Sequence, residues 1–110
     1  MTSDNKKPPF SSAAGWFSWL HQELANDPGA DQLLEKMENR FGNQDPLSAD
    51  DLLYWLYESI YSSMGWRKHH LEERDLGKAD AELSEIEAAS RAVEILKPFQ
   101  KEVKPEQGSI

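Results

Sequence analysis

The chain has 110 residues, which suits one domain and argues against two. Its 20 acidic and 12 basic side chains give a formal net charge of −8, which argues against general affinity for nucleic-acid phosphate or an anionic membrane. It has no cysteine, which excludes disulfides and any thiolate-based catalytic, zinc or iron–sulfur site.

No apolar run approaches the roughly 20 residues that a membrane helix needs. Met1–Pro9 is polar, with two lysines and no apolar stretch after them, unlike a signal peptide. A cytoplasmic location is therefore expected, with no membrane partner. Residues 1–9 and 101–110 read as disordered tails around one helical domain, residues 10–100. No internal repeat is present, and nothing shows the period-2 alternation of a strand.

The first helix is predicted from Ser11 or Ser12 to about Ala25. Serine is a good N-cap because its hydroxyl accepts an orphan backbone N–H. Ala13, Trp16, Phe17, Leu20 and Leu24 share one face, and Trp19 falls outside it. Asn26-Asp27-Pro28-Gly29 breaks the chain. Asp27 is expected to cap the second helix, with Pro28 at its first position, where a missing N–H costs nothing. Ala30, Leu33, Leu34, Met37 and Phe41 form a narrow apolar stripe that ends at Gly42.

The third helix has the strongest start signal. Ser48 and Asp51 form a capping-box pattern, and Leu47 and Leu52 stand where a hydrophobic staple requires them. Asp50 and Asp51 suit the positive end of the helix dipole. Leu52, Leu53, Leu56, Ile60 and Met64 make the expected core face, extended on one side by Tyr54, Tyr57 and Tyr61. Trp55 lies nearly opposite Ile60. This central helix is predicted to be the most buried element.

Ser62-Ser63-Met64-Gly65 weakens that helix without ending it. A further helical stretch is expected from Trp66 to Lys97. Leu76, Ala79, Leu83, Ile86, Ser90 and Val93 keep an unbroken 3-4 spacing that crosses Gly77, which costs a helix only about 1 kcal/mol. The pattern predicts one long final helix rather than a turn at Asp75–Lys78. The seam resembles a short coiled coil, and Pro98 ends it.

Chemistry-bearing groups are sparse. His69, His70 and Glu73 have helical spacing for two metal ligands, with His21 as a further candidate, but two ligands do not make a site. The Glu-x-x-His pairs of di-iron bundles are missing. The basic run Arg67–His70 is followed at once by Glu72, Glu73 and Asp75, which cancel its field. The acidic series Asp50, Asp51, Asp80, Glu82, Glu85 and Glu87 raises mimicry of nucleic acid as an alternative. A solvated face with pairs such as Glu87–Arg91 is the favoured explanation. There is no nucleophile elbow, phosphate loop, paired-histidine zinc helix or calcium loop. No catalytic residues and no cofactor are assigned, and no enzyme activity is expected.

Aromatics are the remaining signal. Trp16, Phe17, Tyr57 and Tyr61 are expected to fill the core. Trp19, Tyr54, Trp55 and Trp66 are expected to anchor a protein partner, because exposed tryptophan and tyrosine typically bury their rings at interfaces. The expected fold is an all-α bundle of three to four helices with a long C-terminal helix. The expected function is non-catalytic protein–protein association, as a homodimer, adaptor or inhibitor. A metal- or small-ligand-binding bundle is the second reading.

Overall fold

The computed structural model describes residues 8–101, so both predicted tails lie largely outside the described residues. The described chain is all-α: α1 (Ala13–Glu23), α2 (Ala30–Phe41), α3 (Ala49–Glu72), α4 (Leu76–Leu96) and a 3-10 turn, Lys97–Phe99. No helix among the described residues is long and apolar enough to cross a membrane.

Ser12 caps α1, its side chain accepting from the Gly15 N–H at 3.4 Å. The helix buries the predicted face, Ala13, Trp16, Phe17 and Leu20, and stops at Glu23. The second start differs from expectation. Helix α2 begins after Gly29, whose φ is +84°, so Pro28 lies ahead of the helix and Asp27 is not its cap. Asp27 instead closes the connecting turn, its N–H donating to the Leu24 carbonyl and its carbonyl accepting from the Ala30 N–H. Gly29 is required for a second reason. A Cβ there would come within 2.6 Å of the Ser84 carbonyl oxygen on α4. The predicted stripe of α2 is buried along its full length.

The capping box of α3 is formed: the Asp51 N–H donates to the Ser48 hydroxyl at 3.1 Å, and the Ser48 N–H donates to Asp51 at 3.2 Å. The preceding loop is strapped to the start of α1. The Ala13 N–H donates to the Gln44 carbonyl, the Leu47 N–H to the Ser11 carbonyl, and the Trp16 indole to the Leu47 carbonyl at 2.8 Å. That last bond satisfies the only polar atom of a fully buried ring.

The predicted continuous helix from Trp66 to Lys97 is corrected. Helix α3 runs straight through Gly65 to Glu72, and the chain turns at Glu73–Asp75. The turn is a Schellman motif: the Asp75 N–H donates to the His70 carbonyl and the Arg74 N–H to the Leu71 carbonyl. Arg74 takes the left-handed position, φ 61°, that glycine usually fills. Asp75 then caps α4, accepting from the Lys78 N–H at 3.1 Å. The two long helices thus fold back into a hairpin, and the chain returns so that the Lys101 N–H donates to Asp50 near the start of α3.

The hairpin has two unlike halves. Its base, Ala49–Leu56 with Ala88–Leu96, packs with α1 and α2 into one hydrophobic core. Between Tyr57 and Glu87 only Ser63, Ala79 and Glu85 are buried, so this distal part is an arm that adds almost nothing to the core. Ser63 and Ala79 are small enough to let the two helix backbones approach closely there, and Ile60, Leu83 and Ile86 are half-buried beside them.

Candidate functional site

Large apolar side chains meet solvent in the arm and, at Tyr54, on the adjoining turn of the base. Tyr54, Tyr57, Tyr61, Met64, Trp66, Leu71 and Leu76 are all exposed. This corrects the expectation that Tyr57 and Tyr61 fill the core and that α3 is the most buried helix. Tyr61 is 83% exposed and Tyr54 69%. Met64, also assigned to the core face, points to solvent, and Ile60 is only half-buried against the core. The physical reason is that α1 and α2 are short and cover only the base of the hairpin. Among the described residues the main helix partner of α3 is α4, whose fully buried arm residues are Ala79 and Glu85.

Tyr54, Tyr57, Tyr61, Met64, Lys68 and Leu71 follow the 3-4-3-4-3 spacing of a coiled-coil seam. They occupy one stripe of α3, and all of them are exposed. The stripe holds every tyrosine of the chain. It is aromatic toward the base and aliphatic or cationic toward the tip.

The four partner-binding candidates do not form one surface. Trp19 is half-buried in a ring cluster with Phe10, Trp16 and Phe99, at centroid distances of 6.3, 5.9 and 5.9 Å. Phe10 and Phe99 come from the two ends of the described chain and close over α1, so the reason for giving Trp19 to a partner is gone. Trp55 is half-buried too and meets Phe41 edge-on at 6.4 Å. Trp55 and Tyr54, with Arg40, Phe41 and Glu58, line an open groove of about 560 Å³ between α2 and α3. Trp66 lies on the far side of the arm from the tyrosine stripe, stacked on His70 at 6.0 Å and edge-on to His69 at 5.7 Å. Of the four, Tyr54 belongs to the stripe and Trp66 to an exposed patch of its own.

The metal candidates stay apart. His69 pairs only with Glu73 at 3.7 Å, and His21 pairs with Glu38 at 3.1 Å. Among the described residues no three His, Asp or Glu side chains gather as a cation site would need. The acidic series is likewise scattered. Glu85 is buried and held by Lys36 at 2.8 Å, tying α4 to α2. Asp51 is committed to the cap of α3. The Glu85 pair was missed because its partner lies 49 residues away, and only its place on the alanine face of α4 could have hinted at burial.

Compared with protein-family models, curated proteins and solved structures, the chain matches none of them.

Proposed function

We propose that the protein works by association, using the exposed stripe of α3 as its docking surface and carrying out no chemistry of its own. One observation carries this reading: in the arm Tyr57, Tyr61, Met64 and Leu71 stand exposed along α3, while the residues fully buried there are Ser63, Ala79 and Glu85. A helix in a soluble fold ordinarily turns its large apolar residues inward. Apolar patches beyond a few hundred Å² mark sites that another molecule covers. Tyrosine suits such a site, since its ring contributes area at low entropic cost while its hydroxyl finds a partner.

The arrangement revises the expected anchors. Tyr57 and Tyr61 join Tyr54 as contact residues, and Trp19 and Trp55 become intramolecular. Chemical cross-linking of the tagged protein in extracts of its own source is the test. Discrete cross-linked species are expected with the native chain. They should vanish when Tyr54, Tyr57 and Tyr61 are all changed to serine, while the helical circular dichroism stays unchanged. Species that survive the triple change would overturn the reading.

A further inference from the structure

We infer that the occupant of the α3 stripe is a second copy of this chain, docked antiparallel, with the two-fold axis passing beside Ser62 and Ser63. This rests on the association reading above and names its partner.

The stripe is complementary to itself only when reversed. Antiparallel alignment about that point sets Tyr54 against Leu71 of the other copy, Tyr57 against Lys68, and Tyr61 against Met64. Each ring then meets a non-aromatic side chain with which it has a favourable contact. Tyr57 and Lys68 form a cation–π pair, and Lys68 covers the ring with its aliphatic stem. Tyr61 and Met64 form a sulfur–aromatic contact. Parallel alignment instead stacks like on like, opposing Lys68 to Lys68 across the seam.

The exposed area is of the right size. At about 200 Å² per ring side chain, the three tyrosines leave about 400 Å² open to solvent. That is half of the roughly 800 Å² that each partner of a stable complex contributes. Met64, Leu71 and the stem of Lys68 extend the same strip. The other hairpin's stripe also matches it in length, which no unrelated surface is bound to do.

Charge favours the same orientation. Each copy carries −8, so two bases placed side by side would repel. Antiparallel docking puts the two bases at opposite ends. It leaves Glu72 of one arm on the flank beside Asp51 of the other copy, so added salt should tighten the dimer by screening that pair and the net charge. A basic partner on the same surface would be weakened by salt.

Sedimentation across the micromolar range tests the stoichiometry. The native chain should be a dimer, and Tyr61→Asp should raise the dissociation constant at least about 30-fold without loss of helix. Orientation is read from disulfides, which the cysteine-free sequence makes unambiguous. Chains carrying Tyr54→Cys and Leu71→Cys are mixed and oxidised at a concentration where both sediment as dimers. The mixture should give a covalent dimer, and neither variant alone should. Two copies of residue 54 lie about 25 Å apart along the antiparallel pair, beyond disulfide reach. A covalent dimer from Tyr54→Cys alone, or none from the mixture, overturns the orientation. A monomeric native chain overturns the second-copy proposal. If the triple serine change still removed cross-linking to a different protein, the broader association reading would stand.

Discussion

The base and the arm of the hairpin are built from the same two helices, yet they cover their large side chains to very different degrees. At the base, leucines of α3 and alanines of α4 turn inward against α1 and α2, and apart from Tyr54 the exposed positions are polar. In the arm Tyr57, Tyr61, Met64 and Leu71 face outward, and Ile60, Leu83 and Ile86 are only half-buried. The difference shows that helix pattern alone does not decide burial. A 3-4 stripe of large apolar residues will face whatever lies beside it, and in the arm that position is empty among the described residues.

The comparison yields its largest effect at Trp16. This ring is fully buried and its indole N–H is bonded to Leu47, so Trp16→Ala should cost about 3–5 kcal/mol. Tyr61→Ala, also a large aromatic truncation but in the arm, should change the stability of the monomer by no more than about 0.5 kcal/mol. Chemical denaturation of dilute protein measures both. Comparable losses would mean that the arm's rings are covered within the chain. A smaller loss is expected at Gly29. Its positive φ and the adjacent Ser84 carbonyl should make Gly29→Ala destabilising by about 2–3 kcal/mol. An unchanged midpoint would show that α2 and α4 are not in contact there. At the junction of base and arm, Lys36→Met strands the Glu85 carboxylate. Because Lys36 is half exposed, the expected cost is about 1–3 kcal/mol. Adding Glu85→Leu should restore most of it, since a buried pair is replaceable by apolar groups of similar size. Failure of the second change to rescue would mean that Glu85 has a role beyond this pair.

Much of the base was legible in the sequence because its signals are local. Ser12, Ser48 and Asp51 cap through bonds within three residues, and the stripe of α2 needs only one unbroken helix to be read. What was not legible depends on distant partners. Trp19 looks free on a helical wheel, but Phe10 and Phe99 reach it from opposite ends of the fold. The tyrosine stripe looked like core because spacing reports which residues share a face, never what that face meets. The turn at Arg74 was hidden for a different reason. A Schellman end normally announces itself with glycine, and here the left-handed residue is arginine while the nearby Gly77 lies inside α4. The 3-4 spacing that runs through Gly77 was real, but it belongs to a helix that starts only at Leu76.

Arg74 offers the finest test of the division between base and arm. A non-glycine residue in the left-handed region costs about 1 kcal/mol, so Arg74→Gly should relieve strain at the tip without touching any core contact. If base and arm unfold as separate units, the gain belongs to the arm alone. Amide exchange should then slow several-fold in residues 61–83, while Leu52, Leu56, Ala89 and Ala92 exchange as before. The measurement belongs in the Tyr61→Asp background, so that no second copy protects the arm. A uniform slowing across all four helices would show that the turn is part of one cooperative unit. The arm would then owe its order to the base rather than to the partner proposed to cover it.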